Sequence, residues 1–284
     1  MSAFNHTVTR RLAHPLPCLA LAAVLALGLP GAVSAQEAAA PDIGAGIAAF
    51  EQGEFQQAAN IFGGLAEAGD AEGMFYLGRM LEVGAGLPRP NPAAALAQYQ
   101  AAAEAGSLRA HNRIGLLYVS GSGVLQDFAL AAEHLKTAAD GGLADAQYNY
   151  GAMFQNGLGM EADQAQALAL YGQAAAQGHL ASNAILGEAY FNGDGVERDL
   201  AQAFTHHEAA AVRGAPFSQY RLGQFLAAGE VTARDAVQAH MYLNLAAAAG
   251  VAEAGPERDA LGGEMPAAEV MQAQQLAREW TPAE

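Results

Sequence analysis

Five glycines, Gly106, Gly142, Gly178, Gly214 and Gly250, fall 36 residues apart without a slip. A second set, Gly78, Gly115, Gly151, Gly187 and Gly223, keeps the same period with one extra residue in its first interval. Each member of that set follows a larger residue: Leu77, Ile114, Tyr150, Leu186 and Leu222. Two independent series in phase over five units mark a chain built from copies of one supersecondary unit. Such units bury their apolar faces on one another rather than around a single centre.

The stretch from Ala144 to Leu180 shows what one unit does. Ala146, Tyr150, Met153 and Phe154 recur at helical spacing and make one apolar face. Gly151 lies inside that helix, where glycine costs about 1 kcal/mol against alanine. A cost repeated five times in phase points to the close approach of a neighbouring helix. Gly157 and Gly159 then supply the positive φ of a C-terminal cap, and the pair recurs as Gly84/Gly86, Gly121/Gly123 and Gly193/Gly195. In the last unit Gly229 has Val231 beside it instead. Four residues after the second glycine come Asp127, Asp163, Asp199 and, in phase, Asp235, which fit the N-cap of a second helix. Gln166, Gln202 and Gln238 stand where a capping box would place them. The first full unit uses Asn91 followed by Pro92. The second helix carries a small-residue face (Ala165, Ala167, Ala174, Ala175) and closes at Gly178. Neither helix, at about 12 to 14 residues, is stable alone in water. Composition agrees with close helix packing: 52% of residues are hydrophobic but only 7% aromatic.

The pattern of Leu77-Gly78, Tyr118, Gly121-Ser122-Gly123-Val124, Asp127, Ala138-Ala139 and Gly142 resembles the Sel-like repeat, a longer relative of the tetratricopeptide repeat. The resemblance covers five units, at about 71–107, 108–143, 144–180, 181–216 and 217–251. Residues 44–70 resemble a partial leading unit through Phe50, Gly53, Phe55, Ala58, Ala59 and Leu65. Residues 252–284 read as a helical cap: Glu253 to Leu261, a break at Gly262-Gly263, then a helix from Pro266 to Trp280 with Val270, Ala273, Ala277 and Trp280 inward. The fold implied is all-α, a right-handed superhelical α-solenoid of helix–turn–helix units.

The resemblance also implies a way of working. In tetratricopeptide-like folds the first helix of each pair lines the concave face. Register then nominates Phe75, Asn112, Tyr148 and Tyr220 three residues before the key glycine, Arg79, Glu188 and Gln224 one after it, and Gln155 and Phe191 four after it. This mixture of aromatic and polar groups suits a protein or an extended peptide. The alternative for the aromatics is packing between units. Stacking on a cell-wall glycan in envelope assembly is a second class of partner. A cell-wall or β-lactam hydrolase is a third reading, but that branch of relatives is cysteine-rich and disulfide-stapled, which this chain is not. Such repeats are usually adaptors, so the resemblance implies a non-enzymatic scaffold with no cofactor.

Residues 1–35 read as a secretory signal, followed by a short linker at 36–43. Arg10 and Arg11 precede an apolar run between Leu16 and Leu29, and Val33-Ser34-Ala35 predicts cleavage after Ala35. The pair Arg10-Arg11 leaves twin-arginine export open. The apolar run is about 14 residues, short of a bilayer-spanning helix, so no stable membrane span is expected after cleavage, with a retained anchor as the alternative. The expected location is periplasmic or secreted. The only cysteine, Cys18, falls inside this segment, so the mature chain would have no disulfide. Without Arg10 and Arg11, 11 basic side chains face 29 acidic ones, a net charge of about −18. Such a charge repels phosphate backbones, so nucleic acid is not an expected partner.

No catalytic or metal constellation is recognisable. His206-His207-Glu208 lacks a second histidine at metalloprotease spacing, and its register matches Leu170-Tyr171, which predicts core packing. His111, His179 and His240 occupy three different register positions. Asn192-Gly193-Asp194-Gly195 resembles a calcium loop, but Tyr190 and Ala201 stand where oxygen ligands are needed. No glycine-rich turn continues into Gly-Lys-Ser/Thr, and no serine is framed as a hydrolase nucleophile.

Overall fold

The structure, a computed structural model, describes residues 42–283. The signal segment and most of the linker lie outside these residues. The described chain is helical throughout, without a strand. Two helices lead: α1 (Ile43–Glu51) and α2 (Phe55–Glu67). Five pairs follow: α3 (Ala71–Val83) with α4 (Pro92–Glu104), α5 (Leu108–Ser120) with α6 (Phe128–Asp140), and α7 (Ala144–Asn156) with α8 (Gln164–Ala176). The series ends with α9 (Leu180–Asn192) and α10 (Leu200–Ala211), then α11 (Pro216–Ala228) and α12 (Ala236–Ala248). The last two helices are α13 (Ala254–Glu264) and α14 (Ala267–Glu279).

The mid-helix glycines set the packing within each pair. A Cβ on Gly78 would lie 2.7 Å from the Tyr99 ring, on Gly115 2.5 Å from Leu135 Cγ, and on Gly151 2.9 Å from the Tyr171 ring. Gly187 and Gly223 meet His207 and Leu243 at 2.7 and 2.8 Å. The five partners stand 36 residues apart on the second helices, and all are buried. Each second helix thus plugs one large side chain into a notch that only glycine leaves open. The neighbouring alanines, Ala95, Ala131, Ala167, Ala203 and Ala239, are fully buried and let the two backbones approach. On α8, Ala167 and Ala174 are fully buried and Ala175 half-buried, but Ala165 is exposed. Two residues span about 200° of an α-helix, so Ala165 and Ala167 cannot share a face.

The turn glycines carry contacts between units as well as conformation. Gly84, Gly121, Gly157, Gly193 and Gly229 hold φ between 63° and 81° at the C-caps of α3, α5, α7, α9 and α11. In the four turns that have a second glycine, it presses on the start of the preceding second helix. A Cβ on Gly159 would meet Phe128 Cβ at 2.6 Å, and one on Gly195 would meet Gln164 Cγ at 2.5 Å. Gly123 seats Pro92 in the same way.

The predicted N-caps form. The carboxylates of Asp127, Asp163, Asp199 and Asp235 each accept from the first turn of their helices, as does the Asn91 side chain. The reciprocal half of the capping box does not form at Gln166, Gln202 or Gln238. The backbone N–H that a glutamine would receive is already spent on the preceding helix: Asp163 on the Phe154 carbonyl (3.0 Å), Asp199 on Tyr190 (3.0 Å) and Asp235 on Leu226 (2.9 Å). The cap residue therefore ties the two helices of a unit together.

At the C-terminus the break falls at Met265-Pro266 rather than Gly262-Gly263, which continue α13. Met265 is extended (φ −93°, ψ 148°), as the residue before a proline prefers. Both α13 and α14 pack on α12, with Ala273 fully buried. Trp280 and Pro282 reach back over Gly214, and the Ala283 N–H donates to the Val212 carbonyl (2.8 Å).

Substituting alanine at two helical glycines should give opposite signs. Gly115→Ala should lower unfolding stability by about 1–2 kcal/mol, because overpacking against Leu135 outweighs helix propensity. Gly172→Ala in α8, where an added Cβ meets nothing within 4 Å, should raise it by up to about 1 kcal/mol. Denaturant unfolding of the two variants beside the wild type checks both.

Candidate partner-binding groove

The first helices approach one another across units, α5 with α7 and α9 with α11, while each second helix packs on the helices before and after it. This places the first helices on the inner side of the stack. Two clefts open there. One, of about 500 Å³, lies between α3 and α5 and is closed off by the start of α7. It brings together Phe75, Arg79 and Asn112 of the register candidates. The other, of about 380 Å³, contains Gln155 and Glu188 together with Ala184, Ile185 and Phe217.

The remaining candidates are occupied otherwise. Tyr148 packs against Tyr171 and His179, with ring centroids 5.7 and 4.8 Å away. Phe191 lies under the Arg221 guanidinium (4.2 Å) and edge-on to Phe225 (5.9 Å). Tyr220 is buried, and its hydroxyl donates to Glu257 of α13 at 2.6 Å. Gln224 donates to the same carboxylate at 3.1 Å. The C-terminal helices thus occupy the polar groups at that end of the groove.

Two arginines, three units apart on the same register position, each hold a carboxylate of the preceding unit. In the first cleft Arg113 grips Glu82 with two nitrogens, and the Tyr99 hydroxyl adds a third donor at 2.7 Å. Burial pushes the Glu82 carboxyl up, but the donated hydrogen bonds outweigh it and bring it below its ordinary value. Near the second cleft Arg221 is bidentate to Glu188, at 2.7 and 2.9 Å. Its guanidinium also lies 5.2 Å from the centre of Phe217. Burial opposes ionisation of Glu188, but His207 and Arg221 overcome it and draw its carboxyl down to about 2. Neither arginine was singled out by register. What marks them is a cation two residues before the key glycine, Gly115 or Gly223.

Glu188 also brings a serine, a histidine and an acid into line. His207 Nδ1 lies 3.3 Å from Ser218 Oγ, and its Nε2 lies 3.2 Å from Glu188 Oε1, outside hydrogen-bonding geometry. Ser218 and His207 are both fully buried, the ring filling the Gly187 notch. A nucleophile must reach a substrate carbonyl, and this hydroxyl has no face toward solvent. Its neighbour His206 stacks on Tyr190 (5.7 Å, 4° between planes) and meets Asn183 Oδ1 at 2.9 Å. Two histidines far apart in sequence do meet: His111 and His134, Nδ1 to Nδ1 at 3.0 Å. Burial lowers both below their ordinary values, so one neutral ring donates to the other. Among the described residues no cluster of three or more histidine, cysteine or acidic side chains could hold a metal. No described helix is long and apolar enough to cross a membrane.

The Sel1 repeat model matches residues 71–107, 108–143, 144–179, 181–214 and 216–251. The chain belongs to the Sel1 repeat family. A Sel1 repeat protein from Oxalobacter formigenes is 27% identical, over 84% of this chain and 99% of its own, with a TM-score of 0.70. A protective antigen of uropathogenic Escherichia coli strains, described as displaying an SLR fold, is 31% identical with a TM-score of 0.67. That match covers 79% of this chain, which spans about half (48%) of the antigen. No curated protein matches. Sel1 repeat proteins generally mediate protein–protein interactions and are typically non-enzymatic scaffolds.

The Glu188 clasp makes a pH prediction. A carboxyl lowered from 4.5 to about 2 on folding contributes stability that is present above about 4.5 and lost as pH falls toward 2. Melting temperatures across that window should fall for the wild type. Glu188→Gln should melt lower at neutral pH and lose part of that slope.

Proposed function

We propose that this Sel1 repeat protein is an exported scaffold that binds a protein or peptide partner along the inner face of its first helices. The observation that supports the reading is the pair of open clefts on that face, lined by residues that do not repeat. The glycines, alanines and cap aspartates that recur are spent on packing and caps, so they cannot distinguish one partner from another. Phe75, Asn112 and Gln155 present aromatic and amide groups into the clefts, a combination suited to an extended backbone.

Export rests on the N-terminal signature, with cleavage after Ala35 and a mature chain in the periplasm or outside the cell. The acidic balance of the chain disfavours nucleic acid as the partner.

Photo-crosslinking in the native envelope tests the function directly. A crosslinker at Asn112 or Gln155 should trap a discrete protein adduct, while one at the exposed Gln173 on α8 should not. Adducts from Gln173 alone would move the site off the groove, and adducts with glycan strands instead would favour a cell-wall ligand. N-terminal sequencing of the mature protein should begin at Gln36.

A further inference from the structure

We infer that the α3–α5 cleft is a subsite for an acidic residue of the partner, flanked by an apolar one, with Arg79 as its charge anchor. This rests on the groove reading above and specifies its chemistry. The chain carries 29 acidic and only 13 cationic side chains. Three of those cations, Arg79, Arg109 and Arg113, line this one cleft.

Their pairing separates them. Arg113 is spent on Glu82, and Arg109 donates to Glu72 at 2.9 Å. Arg79 is exposed and makes no ion pair among the described residues. It does stand close enough to help lower the Glu82 carboxyl, yet that carboxylate already has the Arg113 fork and the Tyr99 hydroxyl. Asp145, on the far rim, faces His179 at 3.7 Å. Arg79 is thus the one guanidinium of the cleft with all its donors available.

The surroundings set the second half of the specificity. Phe75 is nearly buried and forms a floor, braced by Tyr76 (5.4 Å) and Tyr99 (5.7 Å). Leu116 and the exposed Val83 supply apolar walls. A guanidinium beside an apolar floor favours a carboxylate with a neighbouring aliphatic or aromatic side chain. The other two arginines of the cleft are balanced by Glu72 and Glu82. The attraction for an acidic segment therefore rests on Arg79 alone, the cation that no carboxylate among the described residues has claimed, in a molecule whose net charge is negative. A partner is thereby held in one place along the groove.

Selection of random dodecapeptides from a display library on the immobilised full chain tests this. Recovered peptides should be enriched in Asp or Glu next to an apolar residue, and a synthetic representative should bind about tenfold or more weakly to Arg79→Gln, with affinity falling as salt rises. Selection on Arg79→Glu should recover Lys or Arg at the same position. Circular dichroism should be unchanged in both variants, since Arg79 is exposed. Peptides that lose binding to Leu116→Trp, which fills the cleft, but show no acidic enrichment and ignore Arg79→Gln would overturn the subsite while sparing the groove. Recovery of no peptide at all would remove the subsite and the peptide reading together.

Discussion

The contact on which the rest of the molecule depends is a side chain seated against a bare backbone. In each unit a residue of the second helix fills the space that the absent glycine side chain leaves on the first. The occupants differ widely: Tyr99, Leu135, Tyr171, His207 and Leu243. What is constant is depth, which fixes how near the two helices come. Helices of 12 or 13 residues have little stability of their own, so this spacing decides whether the apolar faces meet at all. Because the notch specifies volume rather than chemistry, the occupant is free to carry a polar tip. Tyr99 uses it to reach Glu82, Tyr171 to reach Gln155 at 2.7 Å, and His207 to approach Glu188. The packing core and the groove are therefore connected through single side chains.

That connection explains how charged pairs come to be partly buried on the walls of the groove in a protein with few charges. Arg113–Glu82 and Arg221–Glu188 are not surface ion pairs, which contribute little. One member of each pair is well shielded, Glu82 at 16% and Arg221 at 17% exposure, against 40% for Arg113 and 29% for Glu188. Glu82 receives donors from two helices, α4 and α5. Removing one partner would leave a desolvated charge, which is costly. These clasps join successive first helices, and they stiffen the inner face where the glycine notches cannot act, since the notches work only within a unit.

Much of the fold was legible because its devices are local and repeat. A glycine with positive φ, an aspartate before a helix and a proline at N1 act over a few residues, and five copies in phase remove ambiguity. The errors come where one backbone group has two possible uses. Gln166, Gln202 and Gln238 fit a capping box by spacing, but the N–H they needed is donated to a carbonyl nine residues back, which no short window shows. Gly262-Gly263 looks like a helix break, yet Pro266 dictates it three residues later. The groove was less legible. Register nominated Phe75, Arg79, Asn112, Gln155 and Glu188 for one face, and only the structure divides them between two clefts. It could not foresee that Glu257 would take up Tyr220 and Gln224, because the cap lies outside the repeat. The meeting of His111 with His134, on different helices and in different register positions, likewise needs three-dimensional placement.

The second turn glycine, resting on the start of the preceding unit's second helix, has a consequence for how such a chain can change length. Contacts within and between units both recur every 36 residues, so a block of that size cut at any phase meets equivalent neighbours when deleted or duplicated. Clefts on the inner face keep their own side chains through such an event, but their separation shifts by a whole unit. Arg113 and Arg221 stand three units apart. Copy number between them acts as a ruler, setting the span of any ligand that must touch both ends while leaving the chemistry of each end untouched.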